Sequence, residues 1–211
     1  MNISTLVIYF VIVLVSISVH EAAHALVSYL LGDDTAKLQG RVSFNPLKHL
    51  DLFMSLILPM MLVLAGLPAF GGAKPVQINQ RKIKWGEYGM ALVALAGPVS
   101  NFIQAFIAFG IMTIAINIGN TTVALIGYIG VQVNLGFMLF NLLPLPPLDG
   151  SRVLYALVPD YLQNLMNKIE QYGMMILIIF VIIANQFLSF YILNVSNAIQ
   201  TFFKVIFNLF N

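Results

Sequence analysis

The 211 residues include no cysteine, which removes disulfides and thiolate metal sites together. Charge is almost as scarce: Asp, Glu, Lys and Arg make up 9% of the chain, against 60% apolar residues and a mean hydropathy of +0.92. A soluble domain of this length needs far more polar cover, so the composition places the chain in a membrane. The net charge of +2 is too small to point to nucleic acid. There is no long polar stretch for a separate soluble domain, and no repeat or low-complexity tract. Residues 1–31 lack a Lys or Arg ahead of their apolar core, and that core outlasts the apolar part of a signal peptide. They are expected to be a mature membrane helix, in one membrane-embedded domain covering 1–211.

Against this background His20-Glu21-Ala22-Ala23-His24 stands out. On a helix, residues four apart share one face, so His20 and His24 can bind one metal ion. Glu21 lies roughly 100° round the helix from His20, placed to reach a water on the metal without ligating it. This is the HExxH arrangement of zinc hydrolases. Ionisable groups inside an apolar span are expensive and are read as functional by default. Two histidines do not complete a zinc site, and with no thiolate available a carboxylate is expected to finish it.

The first span is expected over Ile3–Leu31, closed by Gly32-Asp33-Asp34. From Lys37 to Phe44 apolar and polar residues alternate, which predicts a half-buried strand, and Val76–Asn79 repeats the pattern briefly. His49 reads as a surface or supporting histidine more readily than as a ligand. Leu52–Phe70 is apolar but interrupted by Pro59, Gly66 and Pro68, as a bent, re-entrant hairpin would be. Arg81, Lys82 and Lys84 read as an anchor to anionic lipid. Further spans are expected over Tyr88–Ile118, Thr122–Leu143 and Tyr172–Leu193, with 194–211 an interfacial helix or short span. Asn101, near Gly97-Pro98, suits either helix packing or the lining of an active site. Pro144, Pro146 and Pro147 cannot continue a helix, so the segment they occupy is extended and aims Asp149 in a fixed direction. Asp149 is the candidate third ligand; its alternative is an N-cap for a helix over Ser151–Val158.

These pieces resemble the site-2 protease family of intramembrane zinc metalloproteases, in a small form without a PDZ domain. The matching residues are His20 to His24, Gly40 to Pro46, Ala73 to Val76, Ala96-Gly97-Pro98 with Asn101, and Asn141 to Gly150. They lie between about residues 5 and 155, the expected core, with accessory membrane segments over 172–211. The resemblance implies that His20, His24 and Asp149 bind one zinc ion per chain, that Glu21 is the general base and that Asn141 lies beside the metal. It implies an α-helical polytopic membrane protein, a bundle of about four to six membrane segments with a small β element and a re-entrant hairpin near the metal.

The expected activity is hydrolysis of peptide bonds in or near membrane-spanning helices, with Asn141 a donor to the developing oxyanion. Partners are then membrane-spanning protein substrates and the lipid bilayer, in a bacterial or archaeal cell membrane; the oligomeric state stays open. A substrate strand is expected to add to the edges holding Val42 and Ile78, with Asn101 beside it. A zinc transporter or a non-catalytic scaffold is the alternative. Transport has no use for Glu21 and wants ionisable groups along the other spans, which hold almost none. A scaffold has no need of an intact ligand set. The metal site also constrains topology: the helices delivering His20 and Asp149 must end at the same depth, so 32–51 and 71–87 share one face. With 150–171, those stretches hold every Lys and Arg except Lys204, marking that face, and the active site, as cytoplasmic.

Overall fold

The computed structural model describes residues 3–49, 61 and 76–208. The described chain is helical: α1 (Ile3–Leu30), a single turn α2 (Thr35–Leu38), α3 (Gly86–Asn117), α4 (Thr121–Asn141), α5 (Asp149–Leu157), α6 (Asp160–Glu170), α7 (Gly173–Ile183) and α8 (Asn185–Asn208). Short 3-10 turns at Pro46–Lys48 and Gln80–Lys82 punctuate the polar stretches.

Three helices, α1, α3 and α4, are long and apolar enough to cross a membrane. The pair α6 and α7, bent by 83° at their junction, becomes a fourth span if taken together. The count is therefore three or four among the described residues, at or below the lower end of the expected four to six. The expected span over Tyr172–Leu193 is instead split at Ala184, beside the polar pair Asn185-Gln186. The re-entrant hairpin expected over Leu52–Phe70 lies outside the described residues.

No strand occurs among the described residues, which corrects the expected β element. The alternation from Lys37 to Phe44 is a helix end followed by a loop. Gly40 takes φ +66°, its N–H donates to the Lys37 carbonyl, and the Arg41 N–H donates to the Ala36 carbonyl at 2.9 Å. That double bond to the last turn is the Schellman stop, which needs a left-handed residue where glycine is cheapest. Beyond it the loop closes on itself. The buried Arg41 guanidinium donates to the Lys48 carbonyl, and His49 Nε2 donates to the Ser43 carbonyl at 2.7 Å. His49 is thus a buried clasp of this loop, not a surface residue. Val76–Asn79 is irregular backbone tied down by single bonds: Asn79 N–H donates to the Asp33 carboxylate at 2.7 Å, and Gln39 donates to Gln77.

The helices α1 and α3 run antiparallel, as do α3 and α4. His24 meets Val93 while His20, one turn earlier, meets Asn101 further along α3, and Asn101 in turn meets Asn134 of α4. Hence α1 and α4 run the same way, as the metal site demanded. The loop after α1 and the approach to α3 lie at one end of the bundle. There the Lys84 N–H donates to the Leu31 carbonyl at 2.8 Å and Lys82 Nζ pairs with Asp34 at 2.6 Å.

Asp33, fully buried at this junction, accepts from Ser28, Thr35 and Asn79. Burial pushes its carboxyl up; the hydrogen bonds from the Thr35 hydroxyl and the Asn79 and Thr35 amides outweigh that and hold it below the usual carboxylate range. Farther along, α8 lays Phe203 into a cluster with Phe102, Phe106 and Phe109 of α3, ring centroids 5.2–5.6 Å apart in edge-to-face contacts. This layer backs the α3–α4 pair, the most extensively packed helix pair among the described residues.

Candidate metal centre

His20 and His24 lie on the buried face of α1, 8% and 7% exposed. Apolar α1 offers them no partners of its own, so α3 supplies both. His24 Nδ1 donates to the Val93 backbone carbonyl at 2.7 Å, and His20 Nδ1 donates to Asn101 Oδ1 at 2.6 Å. The rings fit because of Gly97. A Cβ there would stand 2.4 Å from His20 Cε1 and from His24 Nε2, closer than non-bonded atoms ever come.

Asp149 arrives from the other side. The proline-rich turn after α4 ends in Leu148, which takes the N-cap position, and Asp149 is the first helical residue of α5. It therefore does not cap the helix, the alternative left open by its sequence. Its carboxylate points at the histidines, Oδ2 at 3.3 Å from His20 Nε2 and Oδ1 at 3.5 Å from His24 Nε2.

With each Nδ1 committed as a donor, both Nε2 atoms carry lone pairs. They face one another at 3.0 Å, beside a carboxylate whose Oδ2 is buried without a hydrogen bond. Three electron-pair donors converging with no proton among them call for a cation. The spacing also has the right scale. Four ligands at about 2.0–2.1 Å from a tetrahedral zinc ion are roughly 3.3 Å from one another, and the three separations here are 3.0, 3.3 and 3.5 Å. His20, His24 and Asp149 are the one group among the described residues able to hold a metal ion.

The other expected site residues are distributed unevenly. Glu21, next to His20 on α1, is half-buried, and its carboxylate has no hydrogen-bond or ion-pair partner among the described residues. Asn141 ends α4 with its amide donating back to the Phe137 carbonyl at 3.1 Å. Asn101 is fully buried and its amide is shared between His20 and Asn134, so it presents no surface to a substrate. Val42 lies in the loop after α2, and Ile78 lines an open groove of about 790 Å³ with Thr35, Asn79 and Glu87, whose lining does not include His20, His24 or Asp149. Three participants escaped the sequence reading. Asn134 carried a signal, a buried amide amid an apolar span. The Val93 carbonyl carried none, because any residue supplies one. Gly97 was legible as a packing residue but not as the floor beneath two imidazoles.

Fold and site together define a multi-pass helical membrane protein with a His–His–Asp cluster able to hold a metal ion, and with Glu21 unpaired among the described residues. Residues 113–184, which include Asn134, Asn141 and Asp149, match the model of peptidase family M50. The chain is 41% identical over 209 residues to "Putative zinc metalloprotease YwhC" of Bacillus subtilis (strain 168), covering 94% of this chain and 92% of that one. It is 28% identical over 174 residues to "Putative zinc metalloprotease Rip2" of Mycolicibacterium smegmatis, covering 80% of this chain and 64% of the relative. A shorter match, 42% over 62 residues, links it to "Putative zinc metalloprotease MJ0611" of Methanocaldococcus jannaschii, covering 29% of this chain and 31% of that protein. No solved structure matches it. The chain belongs to the M50 peptidases, the site-2 protease family, and is a zinc metalloprotease of the membrane.

Proposed function

We propose that the protein cleaves membrane-spanning or membrane-attached proteins at one zinc site, held by His20, His24 and Asp149, with Glu21 as general base. The observation that carries the reading is the convergence of three lone-pair donors at zinc spacing, each imidazole turned by a hydrogen bond at its far nitrogen. A zinc ion bound there supplies Lewis acidity, polarising a peptide carbonyl and making water acidic enough to be used near neutral pH.

The chain's own residues do the rest. Glu21, without a competing partner among the described residues, takes the proton of the attacking water and later returns it to the leaving amine. Asn101 and the Val93 carbonyl hold the two imidazoles. Asn141 is the candidate donor to the carbonyl oxygen as it gains charge; its amide must leave the Phe137 carbonyl to serve. The helices α1, α3 and α4 bury amides and hydroxyls and hold no Asp, Lys or Arg, with Glu21 and Glu87 their only acidic residues, which favours hydrolysis over transport. A helical substrate must unwind locally to expose a peptide bond. The site lies toward the end of the bundle holding residues 31–34 and 82–84, and the Lys and Arg residues gathered in 32–51, 71–87 and 150–171 support reading that end as the cytoplasmic one.

Metal analysis and cleavage assays on purified variants test this reading. Glu21→Gln retains zinc and loses cleavage, whereas His24→Ala and Asp149→Ala lose both. Normal proteolysis by Glu21→Gln rules out the base, and full zinc occupancy without Asp149 removes it from the ligand set.

A further inference from the structure

Asn134 has no place in the reaction as described, yet it is 3% exposed in the middle of the apolar helix α4. An amide at that depth is costly unless paired. Its two bonds run one to each side: Nδ2 donates to the Gly130 carbonyl at 2.9 Å, and Oδ1 accepts from Asn101 Nδ2 at 2.9 Å.

The order of these bonds is forced from one end. A side-chain amide offers an oxygen and an NH2 group of nearly the same shape, so by itself it can face either way. The Gly130 carbonyl can only accept, so Asn134 must turn its NH2 group there. Its oxygen is then left for Asn101, which must answer with its own NH2 group. Asn101 in turn has only its oxygen left for His20, which it meets at 2.6 Å from Nδ1. An oxygen at that point holds the proton on Nδ1, and the neutral ring then carries its lone pair on Nε2, the atom aimed at His24 and Asp149. Without Asn134, Asn101 is free to turn over. Its NH2 group would then favour the other tautomer, in which Nε2 bears a proton and cannot bind a metal.

We infer that Asn134 is a positioning residue for the metal centre: it transmits the polarity of the α4 backbone at Gly130 through Asn101 and fixes His20 in its ligating tautomer. The inference rests on the zinc reading above. The oxygen of Asn134 is the atom that acts on Asn101, and the bond to Gly130 serves to turn that oxygen toward it.

Two substitutions separate those roles. Asn134→Leu removes the oxygen. Asn134→Asp keeps an acceptor for Asn101 whether or not the carboxyl is ionised. On the purified full-length chain in detergent, zinc affinity is read by competition with a chromophoric chelator. The His20 tautomer in metal-free protein is read from the nitrogen NMR shifts of its ring. Asn134→Leu is expected to weaken zinc about 10- to 100-fold, the usual cost of losing a group that orients a ligand, and to give His20 a mixture of tautomers. Asn134→Asp is expected to match the parent in both. Parental affinity and a single tautomer in Asn134→Leu overturn the inference, and so does an equal loss in the two variants. If Asn134→Leu does not fold, Asn134→Asp decides: parental zinc binding supports the role and weakened binding overturns it. If the parent chain binds no zinc, or His24→Ala does not weaken it, the zinc reading fails instead, and the tautomer in the metal-free chain still decides whether Asn134 sets His20.

Discussion

His20 and His24 occupy equivalent places on one face of α1 and present the same atom to the same point, but they are seated in different ways. His24 is held by a backbone carbonyl, that of Val93, which no side-chain substitution deletes and which cannot turn over. His20 is held by a side chain, Asn101, whose own direction depends on a second side chain, Asn134. One seat is built into the helix and the other is assembled from sequence. Sensitivity to mutation on α3 and α4 should therefore fall on His20.

The largest effect belongs to the one position both seats share. Gly97→Ala places a methyl carbon 2.4 Å from an atom of each imidazole, and helix backbone on both sides leaves it nowhere to go. Zinc and cleavage should both be lost while the helices remain, as metal analysis and circular dichroism would show. A Gly97→Ala protein with full zinc would mean that α1 and α3 are not as close as described.

A matched pair sharpens the contrast itself. Asn101→Leu should weaken zinc about 10- to 100-fold, and Asn101→Asp should restore it, since a carboxylate also accepts from Nδ1. Val93→Ala removes two methyl groups from a side chain 1% exposed and should cost roughly 1–2 kcal/mol of packing, visible as a lower melting temperature. Zinc affinity should hold, because the carbonyl stays. Equal zinc losses in Asn101→Leu and Val93→Ala would dissolve the distinction between the two seats.

What was legible in the sequence follows the same division. His20, His24 and Asp149 were readable because their chemistry resides in side chains that an apolar span rarely holds, and the long spans because twenty apolar residues have few other uses. The α1 to α4 topology followed from requiring those three side chains to meet. The strand at Lys37–Phe44 misled because alternation over a few residues also arises where a helix ends at Gln39-Gly40, and the glycine was the better clue. The Val93 carbonyl left no trace in residue type, and the split at Ala184 left only the polar pair Asn185-Gln186. Asn134 left one, since a lone amide within α4 asks for a partner, but naming that partner requires the register of α3 against α4.

The smallest effect tests what keeps the built-in seat in register. A backbone acceptor is only as well placed as its helix, and the junction between α1 and α3 is pinned by Asp33, which accepts from Thr35 on one side and from the Asn79 N–H on the approach to α3. His24 and Val93 are nearer this junction than His20 and Asn101. Loosening it should disturb the His24 seat first and only slightly. Asp33→Asn places an NH2 group against at least one donor and should lower the melting temperature at neutral pH while changing zinc affinity less than any substitution above. The pH dependence has a definite sign. The Asp33 carboxyl is held below its usual range in the folded protein, so its stabilising contribution is fully present above the unfolded value of about 3.9 and is lost as pH falls through the lower folded value. The melting difference between parent and Asp33→Asn should therefore be greatest near neutrality and shrink below about pH 4. Melting curves across that range decide it. A difference that grows on acidification would mean the carboxylate is not what pins the junction, and a zinc loss as large as that of Asn101→Leu would mean that the His24 seat is no more robust than its neighbour.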